Sequence, residues 1–253
     1  MTPFFVSPRR LYPAPDHCRM PLPPLEPDPS MEQLMAQTGM YWYSVDYRSG
    51  RFRYVSSGVA QMLGYTAEAW LFAGPRKIFK YVHPEDQECV ERMCSEIRRE
   101  IGRHPAQKRD RITFAFTCRV LDTTGNYLHL KHDLIFPRLD PHGNPLTDFV
   151  VVTDITALQS THPCMLHVRR GGRRKVDTLR VQVFSRTEDV DFSRREIEVL
   201  QLVAEGCSSQ EISQRLFISY NTVCTHRKNL LKKAGVNRTV DLLRYARNVG
   251  LVG

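Results

Sequence analysis

The residues best equipped to bind a ligand lie in the last third of the chain, where cations and hydrogen-bond donors recur at helical spacing. Cys224, Lys228 and Lys232 follow one another at i, i+4 and i+8, so they share one side of a helix. Thr225 and Arg227 stand beside them. Ammonium, guanidinium and hydroxyl groups donate hydrogen bonds to phosphate oxygens and base edges, so the pattern favours binding to a nucleic acid.

Local signals predict the two helices that would position these side chains. Ser208 and Glu211 have the spacing of a capping box, which predicts that a short helix begins there. Ile212 and Leu216 give that helix an apolar side. After a short break, Ser219 is placed to cap a second helix, which carries the basic residues. A short helix, a turn and a second, basic helix suit the DNA major groove.

Two further helices are predicted around this pair. Ser193 and Glu196 form a second capping box, and Gly206 stands where a glycine would end the helix that follows. A last helix is expected to stop at Gly250. Four short helices predict an all-α domain over residues 187–253, with the helix-turn-helix at 208–227.

This part of the sequence resembles the LuxR-type (GerE-like) helix-turn-helix domain. The matching segments, in fixed order, are Phe192–Leu200, Ala204–Gly206, Glu211–Ile212, Ile218–Ser219, Asn221–Val223, Thr225–His226, Lys233 with Gly235–Val236, and Gly250–Val252. The resemblance implies that position 224, Thr225 and Lys228 reach base edges. Members commonly carry a lysine where this chain has Cys224, which removes one cation from the surface. The predicted DNA-binding residues are Asn221, Thr222, Cys224, Thr225, Arg227, Lys228 and Lys232.

The distribution of charge agrees with this prediction. The formal net charge is +9. Residues 192–253 hold 10 Lys and Arg against 5 Asp and Glu, whereas residues 1–168 hold 19 against 18. The excess at the C-terminal end favours a polyanionic partner. The alternative is an ordinary solvated surface.

Residues 36–158 have a different pattern, typical of an antiparallel sheet with helices. Alternating apolar residues predict a hairpin over 40–56, and an amphipathic helix is expected from Pro84 to Ile101. Three strands are expected at 111–121, 126–137 and 146–154, with short helices before Pro84. The predicted fold class is therefore α+β.

The same region resembles a PAS domain, a sensory or dimerisation module. The matching segments are Phe52–Ser56, Leu63–Trp70, Val82–Asp86, Gly125–Tyr127 and Val151–Thr156. The resemblance implies a cavity between the sheet and the short helices. The predicted ligand-binding residues are Trp42, Tyr54, Phe79, Phe114 and Phe116; the alternative is that they are simply core.

No cofactor or metal is predicted. His83, His129 and His132 are available as haem ligands, but His83 belongs to a helix-start motif that explains it without iron. The Asn-Cys-Arg-Phe-Leu motif of photochemical flavin-binding PAS domains is absent. The seven cysteines include no Cys-x-x-Cys pair, which excludes a common type of zinc site. Cys89 and Cys94 are five residues apart, so they do not share a helix face well enough to indicate redox sensing.

The remaining features concern the N-terminal segment, the linker between the two domains and the cellular location. Nine of the sixteen prolines lie in residues 1–30, so residues 1–35 are expected to be a disordered leader. One or two helical turns are expected over residues 31–38. Residues 159–186 are expected to be a linker with a β-hairpin whose tip is basic. The sequence has no apolar run long enough for a membrane span and no secretory signal, so a cytoplasmic location is expected.

These patterns predict a sequence-specific DNA-binding transcription regulator that acts as a homodimer. Its PAS-like domain would sense a small molecule or a protein. The alternative is a protein-docking module that uses both domains without specific DNA binding; only the DNA-binding function predicts a steep dependence on salt. No nucleophile–base pair or phosphate-binding loop is recognisable, so the chain is not expected to be an enzyme.

Overall fold

The computed structural model describes residues 25–158, 164–171, 176–185, 189–249 and 251–252. Within these ranges the strands form one antiparallel sheet in the order β2-β1-β5-β4-β3-β6-β7-β8. The strands are β1 (Met40–Asp46), β2 (Arg51–Val55), β3 (Ile112–Leu121), β4 (Tyr127–Leu139), β5 (Pro145–Asp154), β6 (Met165–Gly171), β7 (Val176–Val183) and β8 (Val190–Ser193).

The helices fall into two groups separated by the last six strands. Those of the N-terminal half are α1 (Pro29–Gln37), α2 (Gly58–Leu63), α3 (Ala67–Ile78) and α4 (Pro84–Arg103). Those of the C-terminal part are α5 (Arg194–Ala204), α6 (Ser209–Leu216), α7 (Tyr220–Lys233) and α8 (Thr239–Asn248). The predicted α+β class, with a PAS-like element order before a helical domain, is confirmed.

Helix α4 packs on one face of the sheet because its apolar residues form a continuous stripe. The buried apolar members of the stripe are Cys89, Val90, Met93, Cys94, Ile97 and Ile101, as expected for an amphipathic helix. His83 caps this helix: its Nδ1 accepts a hydrogen bond from the Glu85 N–H at 3.1 Å. The His83 imidazole is therefore the N-terminal cap of this helix, in agreement with the helix-start motif of the sequence.

Helix α1 lies at the end of the segment predicted as a leader, where one or two helical turns were expected. The helix begins at Pro29, because Pro is compatible with the first helical turn and Asp28 caps it by accepting from the Ser30 N–H at 2.8 Å. Glu32 then fixes the helix to the sheet, since it accepts from Trp42 Nε1 at 2.7 Å. Residues 1–24 of the predicted leader lie outside the described residues.

Strands β6 and β7 join the two halves of the molecule. They lie in the segment predicted as a linker, and they do form a hairpin, but β6 also pairs with β3, with Val168 opposite Phe114. Strand β7 pairs with β8, which runs directly into α5. Residues 172–175, most of the predicted basic tip, lie outside the described residues.

The C-terminal helices share their core with the hairpin. Met165, Val181 and Val183 of the hairpin belong to the same apolar cluster as the buried residues of the four C-terminal helices. The fully buried helical residues of this cluster include Leu200, Ile212, Val223, Leu230 and Ala246. Both predicted capping boxes are present, at Ser193 and at Ser208. Gly206 has a φ of 84°, as a glycine that ends a helix requires.

Candidate DNA-binding surface and ligand cavity

Helix α7 has one face in the core and the opposite face in solvent. Ser219 caps it by accepting from the Thr222 N–H at 3.0 Å, and Val223 and Leu230 are fully buried. Neither Lys228 nor Lys232 is tied to a carboxylate within the described residues, and both are exposed. The sequence thus produces a helix anchored by apolar residues on one side only.

A stripe of four exposed polar residues runs along the solvent face of α7. Asn221, Thr225, Lys228 and Lys232 stand at i, i+4, i+7 and i+11, and we call them the recognition stripe. The Thr225 hydroxyl donates to the Asn221 carbonyl at 2.9 Å. Donors at both ends of the stripe and a threonine between them can meet phosphates and base edges along one groove.

Three other predicted residues lie beside the stripe rather than on it. Cys224 is half-buried at its edge, and Thr222 is exposed on the far flank, 2.8 Å from the Ser219 hydroxyl. Arg227 is half-buried between helices: its guanidinium lies 3.2 Å from Ser209 Oγ in α6. It also lies 3.5 Å from Thr239 Oγ1 in α8. Through these contacts Arg227 links α7 to the helices α6 and α8.

An ion pair that sequence reasoning missed holds the end of α7 against the start of α5. Lys233 Nζ lies 2.6 Å from Glu196 Oε2, and the same oxygen accepts from the Ser193 N–H at 2.9 Å. Burial alone would raise the pKa of Glu196, but these hydrogen bonds outweigh it and lower the pKa. The capping box was visible in the sequence; Lys233 lay too far along the chain to be paired with it.

The turn between α6 and α7 presents an aromatic side chain to solvent. Phe217 is 93% exposed and has a φ of 54°, the left-handed region that side chains other than glycine rarely adopt. Tyr220, at the start of α7, is 52% exposed. The sequence predicted only a break here. Both rings lie next to the first turn of the helix that carries the recognition stripe.

The PAS-like part encloses a cavity of about 70 Å³ between the sheet and helices α3 and α4. This is several times the space that one water occupies. Of the predicted ligand-binding residues, Phe79 and Phe116 line it. Trp70, His132 and Cys118 line it as well and were not predicted.

The other three predicted ligand-binding residues do not line this cavity. Trp42 and Tyr54 stack on each other on the opposite face of the sheet, with ring centroids 4.3 Å apart. Adjacent residues of a strand point to opposite faces of the sheet. Because Tyr41 packs in the core on the cavity side, Trp42 lies on the other face. Phe114 is core: it packs edge-on against Phe136, with centroids 6.0 Å apart.

Two buried polar atoms border the cavity without a hydrogen-bond partner among the described residues. They are Trp70 Nε1 and His132 Nδ1. His132 stacks on Phe116 at 4.6 Å, and burial lowers its pKa to about 4, so the imidazole is neutral at neutral pH. Within the described ranges no three or more His, Cys, Asp or Glu side chains are grouped to hold a metal ion.

A buried carboxyl group also lines the cavity. Asp148 accepts from the Val45 N–H at 2.6 Å and from the Tyr47 hydroxyl at 2.9 Å. Burial raises the pKa of this group to about 7, although these hydrogen bonds oppose the rise. Its charge therefore changes near neutral pH.

The C-terminal helices match a known family. Residues 190–246 match the family described as "Bacterial regulatory proteins, luxR family". These residues are a LuxR-type domain. The match includes the whole of α5, α6 and α7, and therefore the recognition stripe.

Curated proteins also match a part of the chain of about the same length. The transcriptional regulatory protein MctR of Rhizobium johnstonii is 47% identical over 58 residues, which are 23% of this chain and 27% of MctR. The regulatory protein SdiA of Escherichia coli is 42% identical over 66 residues, 26% of this chain and 28% of SdiA. The chain thus spans under a third of the length of either relative.

Solved structures with a LuxR-type or a PAS domain are also similar. A Vibrio cholerae VqmA dimer without its target DNA is 19% identical, with 89% of each chain covered and a TM-score of 0.37. The N-terminal domain of a Marinobacter aquaeolei diguanylate cyclase with a PAS/PAC sensor is 19% identical over 47% of this chain and 96% of that one, with a TM-score of 0.38.

Among the helices described for this chain, none has the length and apolar character to cross a membrane.

Proposed function

We propose that this chain is a sequence-specific DNA-binding transcription regulator. The observation that carries the proposal is the recognition stripe, which places Asn221, Thr225, Lys228 and Lys232 on the exposed face of a capped helix in a helix-turn-helix. An exposed helix with a polar, basic face fits the width of the major groove. The LuxR-type match over residues 190–246 supports the same function.

The members of the stripe take different roles in the groove. Lys228 donates to guanine O6 and N7, and the Thr225 methyl group meets the thymine methyl, since its hydroxyl is occupied by the Asn221 carbonyl. Asn221 and Lys232, at the ends, contact phosphates, with Thr222 at the flank. Cys224 supplies no charge. Arg227 acts mainly by positioning α7, because Ser209 and Thr239 hold its guanidinium.

The N-terminal half acts as the regulatory part and as a dimerisation module. The cavity beside Trp70 and His132 supports a small molecule as the signal, because two buried polar atoms there have no hydrogen-bond partner among the described residues. One helix-turn-helix makes a small contact, so a homodimer on two half-sites gives the affinity that regulation requires. Since the matched family is one of bacterial regulatory proteins, we place this DNA-binding function in the cytoplasm.

Selection of duplexes from a random pool by the full chain tests the DNA-binding function. A consensus should emerge, and affinity for it should fall steeply with salt. Lys228→Ala should cost about 1–3 kcal/mol at the consensus and relax the base preference. Lys80→Ala, which removes the same charge from an exposed site in the N-terminal half, is the matched control and should bind like the wild type.

A protein-docking function is favoured by one observation, the exposed Phe217 beside Tyr220. Docking through these rings would depend little on salt, since apolar contacts are not screened. If no consensus emerges and Phe217→Ala alone abolishes association with a partner, docking replaces DNA binding as the function.

A further inference from the structure

Phe217, in the turn between α6 and α7, combines an unfavourable backbone conformation with an unfavourable side-chain position. Its φ of 54° makes it the one residue other than glycine with a positive φ among the residues that the structure describes. A side chain in the left-handed region costs free energy that glycine would avoid. The ring gains almost nothing from packing in return, because it is 93% exposed. Neither feature stabilises the fold.

The turn cannot relax by rotating the ring into the core. Leu216 and Ile218, the residues on either side, both pack against the apolar cluster of the C-terminal helices. The Ile218 N–H also donates to the Ser213 carbonyl at 3.1 Å, the bond that closes a helix end of the Schellman type. The left-handed residue of such a helix end is usually glycine, whereas here it is an exposed phenylalanine. Backbone strain that the surrounding structure maintains in this way is concentrated at functional sites.

The groups beside Phe217 fit a nucleic acid better than an apolar protein surface. Tyr220 is 52% exposed and directly precedes the recognition stripe. Arg195, the ion-pair partner of Glu198, donates from Nη2 to the Leu216 carbonyl at 3.0 Å, which holds a guanidinium at the turn. A DNA groove and its edge present thymine methyl groups and deoxyribose next to anionic phosphates. An aromatic ring with a phenol and a guanidinium nearby matches that combination.

We propose that Phe217 contacts DNA, with its ring against the apolar surface of the duplex that the recognition stripe binds. The inference rests on the proposed DNA-binding function and adds an apolar contact to its polar ones. The apolar group is a thymine methyl or a deoxyribose, and the Tyr220 hydroxyl donates to a phosphate beside it. Sequence reasoning missed Phe217 because an apolar residue in a turn carries no hydrogen-bonding signature.

Two substitutions separate binding from folding. Phe217→Gly removes the ring and relieves the positive φ, so it should raise the melting temperature by a few degrees while weakening binding to the consensus duplex several-fold. Phe217→Ala removes the ring but keeps a side chain at positive φ, so it should weaken binding equally without the gain in stability. Thermal unfolding and fluorescence titration of a labelled duplex measure both quantities. A residue with only a structural role would not stabilise the fold and weaken binding in the same variant.

Phe72→Ala is the matched control. Phe72, on α3 in the N-terminal half, is also 93% exposed, and its removal should leave DNA affinity unchanged. Consensus duplexes with deoxyuridine in place of one thymine at a time then identify the group that the ring meets, because uracil lacks the methyl group. If the ring meets a thymine methyl, one such position weakens binding of the wild type but not of Phe217→Ala. If no position does so and Phe217→Ala still binds weakly, the ring meets deoxyribose.

The inference is overturned if Phe217→Gly binds the consensus as tightly as the wild type while Lys228→Ala loses affinity. That result leaves the proposed DNA-binding function intact. If the wild-type chain selects no consensus from the random pool, the DNA-binding function fails and this contact fails with it. If Phe217→Ala retains full DNA affinity but loses association with a protein, the ring is a docking residue and the contact with DNA is wrong.

Discussion

Arg180 and Glu96 form an ion pair across the junction between the two halves of the protein. Arg180 Nη1 lies 2.6 Å from Glu96 Oε1, and Arg180 Nε lies 2.6 Å from Asp191 Oδ1. Glu96 is on α4, whereas Asp191 is on β8, two residues before the cap of α5 at Ser193. One guanidinium thus joins the N-terminal half to the first element of the LuxR-type domain.

Removal of the Arg180 guanidinium should destabilise this junction. Arg180→Met leaves Glu96, which is 4% exposed, with one fewer cation. The loss should stay below the about 3–5 kcal/mol typical of a broken buried pair, because Arg99 and Arg103 still contact Glu96. Urea unfolding measures it. Arg180→Lys, which keeps the charge, should lose less; equal losses for both would mean that packing, not charge, holds the junction.

The stability of the protein should carry a pH dependence from Asp148. Its pKa is about 7 in the folded protein, above the 3.8 of the free group, so the folded state binds the proton more tightly. This contribution is complete below pH 4 and is lost as the pH rises through 7, by at most about 1.4 kcal/mol per pH unit.

The contribution of Asp148 is measured as the difference in the free energy of unfolding between wild type and Asp148→Asn from pH 4 to 8. The difference between the two curves isolates Asp148 from His132 and His167, whose pKa values are lowered to about 4 and which act in the opposite direction. A difference that does not change with pH would show that Asp148 does not titrate in this range.

Arg227 should affect folding as well as DNA binding. Because its guanidinium contacts Ser209 and Thr239, Arg227→Ala should lower the free energy of unfolding by about 1 kcal/mol and weaken binding to all sequences alike. Thermal unfolding and titration of the consensus and a scrambled duplex measure both effects. Unchanged stability together with a salt slope reduced by about one unit would instead make Arg227 a direct phosphate ligand.

A cation at position 224 should strengthen DNA binding. Cys224 lies beside Lys228 at the edge of the recognition stripe, so Cys224→Lys adds a positive charge near the DNA backbone. Affinity should rise for every sequence, most at low salt. Gln201→Lys, which adds the same charge at an exposed position of α5, is the control. An equal gain in both variants would reflect net charge alone, and position 224 would then not face DNA.

Assembly should follow a two-fold model. The intact chain is expected to sediment as a homodimer at micromolar concentration and to protect two half-sites about one helical turn apart. Footprinting and sedimentation of the same preparation check this. A monomer that occupies a single half-site would contradict it.

The sequence predicted best what local chemistry determines. The capping boxes at Ser193 and Ser208 and the buried stripe of α4 each depend on residues within a few turns of one another, and the structure confirms them. It was harder to predict which side of β1 each residue faces, because Tyr41, Trp42 and Tyr43 are consecutive aromatic residues and residue type does not mark which ring faces the cavity.

Contacts between distant segments could not be predicted in the same way. The pairing of β6 with β3 joins residues some fifty positions apart and has no signature in either strand. The position of Arg180 beside Glu96 depends on that pairing, because β7 joins the sheet through β6. Arg227 was taken for a surface cation because its partners lie on two other helices.

The continuous sheet sets a condition on how this LuxR-type domain could be exchanged between proteins during evolution. A cut at residue 187 would strip Met165, Val181 and Val183 from the apolar cluster of the helices and expose the free edge of β8. An exposed edge of this kind invites aggregation. A LuxR-type domain with this architecture can be transplanted onto a new sensor only together with the β6–β7 hairpin, so the unit of inheritance is larger than the DNA-binding helices.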